Sequence, residues 1–199
     1  AWIDRLGNAD SLRAQLLDAQ GRELMHENRI DEASQIFQRA IELERKLGDQ
    51  AGVGSTLDDL GVMLGKKGRR KEARALLEQS ASVLAQAVGP RHPKTAIPSY
   101  VMAMLLKDEG PLDVAEAAAR RALEIYESAL PEGHGRTLAA HNVLGEILLQ
   151  EHKPDEALPH FRAALAKRRP GDPGAALDRI GSAIALDRLG KSDEALSTL

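Results

Sequence analysis

"RIDEASQIFQRAIEL" (residues 29–43) decides the fold. A polar start is followed by Ala33, Phe37 and Ala40, so one helical face carries small, large and small apolar groups in successive turns. The same frame returns at "RRKEARALLEQSASV" (69–83), "PLDVAEAAARRALEI" (111–125), "KPDEALPHFRAALAK" (153–167) and "KSDEALSTL" (191–199). Its marker alanines, Ala33, Ala73, Ala115, Ala157 and Ala195, are 40, 42, 42 and 38 residues apart. Twelve residues before each lies another small residue: Gly21, Gly61, Ala103, Gly145 and Ala183. Small residues at such offsets suit the crossing of two helices, where a longer side chain would hold the backbones apart. The five registers therefore predict five stacked helix pairs.

Working outward, the joints between pairs also repeat. "GPRHPKTA" (89–96) and "PEGHGRTL" (131–138) set His134 under His92 and Thr137 under Thr95, 42 residues on. Gly89 and Pro90 end a helix, Pro93 forbids its continuation, and Thr95 reads as an N-cap with Pro98 in the first turn. Equivalent breaks are expected at "LGN" (6–8), "LGD" (47–49), "LPEG" (130–133) and "RRPGDPG" (168–174), and further helix starts at the caps Asp31, Asp113, Asp155 and Asp193. The recurring histidine is accordingly read as a repeated joint and not as a pair of sites. "AWIDRLGN" (1–8) reads as the tail of a preceding repeat or as a cap that Trp2 anchors. The last repeat reads as truncated, which suggests a piece of a longer protein with uncapped ends open to self-association.

This pattern resembles the tetratricopeptide repeat. The family places a Leu-Gly pair in the first helix and Ala, an aromatic and Ala in the second. The chain matches with "LGVML" (60–64), "LGEIL" (144–148), Ala33/Phe37, Ala157/Phe161 and alanines at 40, 122 and 164. It departs where Leu17, Leu57 and His141 replace the family's early Trp, where the closing Pro is missing, and in the third repeat, with Met102-Ala103 and Ala119. The repeat length near 42 is similar to that of the subgroup including kinesin light chains. The resemblance implies an all-α, right-handed α-solenoid of about five helix-turn-helix pairs. One array over residues 1–199 is expected, with repeats at about 11–48, 51–89, 95–131, 136–170 and 174–199.

Composition narrows the function classes. Aromatic residues are only 3% of the chain, so the core must come from aliphatic side chains packed helix on helix. A net charge of −3 gives no overall footprint for nucleic acid or an anionic membrane. There is no cysteine, no secretory leader pattern and no long apolar run, and a cytoplasmic location is expected. No nucleophile elbow, HExxH, P-loop or strand-linked GxGxxG occurs, so neither catalysis nor a cofactor is expected. "GVGSTLDDLG" (52–61) imitates an anion-binding turn without its lysine and reads as an inter-repeat loop. The spacings His134/His141 and His152/His160 lack a carboxylate at metal-ligand spacing, and no metal is assigned. The basic runs at 66–74 and 166–170 read as a solvated turn and a helix end.

The resemblance further implies that each first helix lines a groove for a protein or peptide partner. Carried onto this sequence, the groove residues are Asp18, Arg22, Asp58, Val62, Ile97, Tyr100, Met104, Asn142, Glu146, Ile180 and Ile184. The middle and last sets form an apolar stripe, with Tyr100 and Met104 as anchors and Asp58, Asn142 and Glu146 setting polarity. Positions that grip chaperone-tail carboxylates in some members hold Asp18, Arg22, Asp59, Ile97 and Val101 here, which argues against that ligand. The expected function is a non-enzymatic interaction module or scaffold. An intramolecular regulatory array beside a catalytic or DNA-binding domain is the alternative, and an enzyme or metal-binding protein ranks below both.

Overall fold

A computed structural model describes residues 2–108 and 110–199, with side chains from residue 9 onward. Among these residues there are ten helices and no strand. In chain order they are α1 (Trp2–His26), α2 (Ile30–Leu47), α3 (Gln50–Lys66), α4 (Arg70–Val88), α5 (Pro93–Lys107), α6 (Leu112–Ala129), α7 (Gly135–Gln150), α8 (Pro154–Lys167), α9 (Gly174–Arg188) and α10 (Ser192–Thr198). They form an all-α solenoid of helix pairs. Contacts gather the chain into two compact units, Ala1–Pro98 and Ser99–Leu199.

In the first unit α1 packs on α2, α2 on α3 and α3 on α4. The marker residues sit where the sequence places them: Ala33, Phe37, Ala40, Ala73 and Leu77 are fully buried. A Cβ on Gly21 would come within 2.6 Å of the Phe37 ring, and one on Gly61 within 2.9 Å of Leu77. The absent side chain in the first helix is thus the space that the large residue of the second fills. The second unit repeats this arrangement with α7 on α8, α8 on α9 and α9 on α10. Phe161 lies fully buried against Gly145, where a Cβ would meet its ring at 2.7 Å, and also against Gly181 of the following pair. Burying each such ring stabilises its unit by about 1.5–3 kcal/mol relative to leaving it in water.

The joints fall at "LGD", "GP", "LPEG" and "RRPGDPG" as the sequence predicts. Gly48 closes α2 in the left-handed conformation, with its N–H donating to Arg45 O at 3.1 Å and the Asp49 N–H to Glu44 O at 2.9 Å. Other expectations are corrected. No break occurs at 6–8, because α1 runs through that stretch; a single interior glycine weakens a helix by only about 1 kcal/mol. The role expected of the Trp2 side chain lies outside the described side chains. "GVGSTLDDLG" is not a loop but the body of α3, capped by Asp49, whose side chain accepts from the Gly52 N–H at 2.8 Å. Asp31, Asp113, Asp155 and Asp193 are not caps: they lie in the first turns of α2, α6, α8 and α10, where a carboxylate still meets the positive end of the helix dipole.

The histidine joints are caps. His92 Nδ1 accepts from the Lys94 N–H and His134 Nδ1 from the Arg136 N–H, both at 3.2 Å, at the starts of α5 and α7. Thr95, expected as the cap, is instead buried inside the first turn of α5, and its hydroxyl donates to Gly89 O at 2.9 Å. Pro98 falls in the helix interior, past that turn.

Candidate functional site

The first helices of successive pairs lie side by side, α1 with α3 in the first unit and α7 with α9 in the second. Three repeat positions meet at each such contact. One lies three residues before the first-helix small residue, the second five residues before the corresponding residue of the next first helix, and the third eleven residues after the marker alanine between them. In the first unit these are Asp18, Thr56 and Glu44; in the second they are Asn142, Asp178 and Arg168.

The second-unit set is complete. Asn142 Nδ2 donates to Asp178 Oδ1 at 2.8 Å, and Arg168 Nε donates to Asp178 Oδ2 at 2.7 Å. Asp178 is 0% exposed, so its charge is out of water but neutralised by a guanidinium in direct contact. Arg168 also pairs with Asp172, whose own side chain accepts from the Gly174 N–H at the start of α9.

The first-unit set is not complete. Thr56 Oγ1 donates to Glu44 Oε1 at 3.0 Å and lies 3.4 Å from Asp18 Oδ1, so one hydroxyl proton serves two carboxylates. Glu44 is only 5% exposed, and its Oε2 has no hydrogen-bond partner. Burial pushes its carboxyl up to about 7, helped by Asp18 and Asp49 and opposed by the Thr56 hydrogen bond and Arg22. Arg22 is engaged outside, donating to Asp18 Oδ2 at 2.6 Å and Asp59 Oδ2 at 3.0 Å. Glu44, Asp18 and Asp49 face a cleft of about 540 Å³ lined also by Gln15, Ser55 and the exposed Lys94.

The structure sorts the residues that the sequence puts in the groove. Asp18 and Arg22 come together on the accessible face of the first unit. Val62, Ile97 and Tyr100 are half-buried, and burial raises the Tyr100 hydroxyl above its usual range. Met104 is 43% exposed, while Glu146 is partly covered and ion-paired with Lys107. Asp58 and Asn142 depart from an open groove. Asn142 is buried because it spends its amide on Asp178. Asp58 is 8% exposed, with its Oδ1 unpartnered and its carboxyl pushed up to about 7 by burial and by Asp59. Ile180 and Ile184 are exposed with Leu177 on α9, and no described element packs over them. Ile180 holds the repeat position that Asp18 and Asn142 hold in α1 and α7. Thr56 and Asp178 lie on first helices but five residues before the small residue, between the groove positions, and Glu44 and Arg168 come from the end of a second helix or just past it; the alignment eleven residues past each marker alanine, reading Glu44, Leu84, Tyr126 and Arg168, carries the signal for the latter two.

His141 and His160, from different sequence spacings, approach with Nδ1 atoms 3.0 Å apart, and His141 Nε2 lies 3.3 Å from Glu127. Among the described residues no group of three or more His, Asp or Glu side chains is placed to hold a metal. No described helix is long and apolar enough to cross a membrane. In the basic turn, Arg69 is held by Glu72 and Arg74 by Glu78.

Comparison with known proteins agrees with the fold. The tetratricopeptide repeat profile matches residues 12–86, 67–128 and 98–170. The crystal structure of BtubC (BKLC) from P. vanneervenii superposes with a TM-score of 0.88 at 20% identity, covering 98% of this chain and 82% of that one. A putative kinesin light chain from Podosopora anserina with nearly identical TPR-like repeats gives 0.78 at 18%, covering 94% and 91%. A structure of MamA AMB-1 gives 0.63 at 20%, covering 94% and 88%. No curated protein matches the sequence.

Proposed function

The chain belongs to the tetratricopeptide repeat family, and from that premise we propose that it is a non-enzymatic module whose first helices dock a segment of a partner protein. The observation that carries this reading is the set of side chains that the tightly packed first helices leave accessible. First helices such as α3 and α7 are packed on both sides and put much of their length into the core, yet they keep a narrow set of charged and apolar side chains accessible, Asp18 and Arg22 in the first unit and Met104 and Glu146 in the second. An accessible side chain mounted on a packed helix is pre-organised, so binding orders little besides the partner. Asp58 and Asn142, proposed from sequence as polarity-setting contacts, act on this reading through neighbours and not by touching the partner.

Random peptides displayed on phage and selected on the full chain test the proposal. Selected peptides should lose more than about tenfold in affinity on Met104→Glu or Glu146→Lys, as expected for anchors near the centre of an interface. They should tolerate Arg121→Glu and Glu124→Lys, which change exposed residues of the second helix α6. The opposite pattern, insensitivity on the first helices and loss on α6, would reject docking on the first helices.

A further inference from the structure

The two units carry the same three-residue contact with different charge. Asp178 in the second unit has its cation built in, as Arg168. At the position of Arg168 the first unit has Glu44, which adds a second carboxylate beside Asp18 where the contact elsewhere holds a guanidinium. Thr56 between them offers one proton to the pair, and Glu44 Oε2 is left without a partner although the residue is 5% exposed. A buried carboxylate oxygen without a donor is costly, and a native protein retains one where something else supplies the donor.

We propose that the cleft beside α1 and α3 receives the arginine or lysine side chain of a basic partner segment, seated between Glu44 and Asp18. The cleft of about 540 Å³ holds Glu44, Asp18 and Asp49 against Arg22 and Lys94. Arg22 is already committed to Asp18 and Asp59, and Lys94 forms no ion pair with these carboxylates. The incoming cation meets Glu44 Oε2 and the remaining acceptor capacity of Asp18, the role that Arg168 plays internally toward Asp178. An organic cation with directed N–H donors suits these acceptors better than a metal ion, for which no described cluster has the ligands. The inference rests on the docking reading above and assigns it a partner chemistry in the first unit. Because burial holds Glu44 partly protonated near neutrality, seating the cation also displaces a proton.

The test is an NMR titration of the labelled full chain with N-acetylarginine amide, with N-acetylglutamine amide and magnesium chloride as parallel probes. The arginine probe should give saturable shifts confined to residues around Asp18 and the first turns of α3, and bind more tightly at pH 8 than at pH 6. Glu44→Gln should weaken it about tenfold, the order expected for one lost charge-assisted hydrogen bond. Glu44→Arg, which installs the second unit's arrangement, should abolish the response. Equal shifts with the glutamine probe, a matching response to magnesium, or unchanged binding in both variants overturns the proposal. Phage peptides that depend on the first helices, together with an arginine probe that never saturates, would remove the cation and leave docking standing. A saturating arginine probe without first-helix peptides would do the reverse.

Discussion

At His152 the backbone turns left-handed, with φ at 60°, in the turn between α7 and α8. Five residues before Ala33, Ala73 and Ala195 the chain takes the same geometry: Asn28 at 63°, Gly68 at 74° and Gly190 at 75° occupy the equivalent places. The side chain at 152 is therefore constrained by its backbone and not selected as a ligand, and the His152/His160 spacing loses its chemical meaning. Left-handed backbone costs a residue with a Cβ roughly 1–2 kcal/mol, less for asparagine and histidine than for a β-branched residue. His152→Gly should leave stability unchanged or raise it by up to about 1 kcal/mol, and His152→Val should lower it by about 1–2 kcal/mol, as read from chemical denaturation. His92 and His134 are legible in the sequence as joint residues but not as caps, because a histidine Nδ1 replacing the usual Ser or Asp side chain has no strong sequence signature.

Helix crossings set the next scale. Ala157 is fully buried against α7, so Ala157→Leu should destabilise the second unit by roughly 1–3 kcal/mol through overpacking, whereas Phe37→Ala in the first should cost about 3–5 kcal/mol by opening a cavity beside Gly21. Both are read from denaturant midpoints at constant m-value, with far-ultraviolet circular dichroism confirming that the helices remain. The pairing itself was legible, since the small-large-small pattern of Ala33, Phe37 and Ala40 can be satisfied only by a second helix at close approach. Helix starts are less so: Arg29, Pro111, Lys153 and Lys191 precede their helices without a side-chain cap, and the acidic residue two positions on imitates one in the sequence. The candidate site was half legible. Asp18, Arg22, Met104 and Glu146 follow from first-helix periodicity, but Glu44 and Arg168 reach that surface from the last turn of a second helix or just beyond it, and periodicity along one helix cannot report that.

Across the whole molecule, the two units should respond to acid in opposite directions. In the first, Glu44 and Asp58 are held up to about 7, so the folded unit binds protons that the unfolded chain binds only in the ordinary carboxylate range; its stability rises as pH falls from 8 toward 5 and is lost again as pH climbs through 7. The facing groups are Asp18, Asp49 and Arg22 for Glu44 and Asp59 for Asp58. In the second, burial pushes His160 down to about 4 and lowers His141, with Glu127 and Asp178 facing the latter and Arg120 and Glu156 the former. Unfolded histidines take up protons below about 6.5, so this unit's stability falls as pH drops from there toward 4. Hydrogen-exchange protection factors, resolved by peptide between pH 7.5 and 5, should increase in residues 30–64 and decrease in residues 135–165; parallel changes in both would contradict the assignment. The Phe161 ring has a different kind of consequence. Because it fills the hollow at Gly145 in its own pair and the one at Gly181 in the next, its burial is shared between neighbours, and neither pair can open alone without exposing part of it. In a repeat chain whose cooperativity is a sum of nearest-neighbour terms, one side chain that belongs to two repeats makes them melt as a single step.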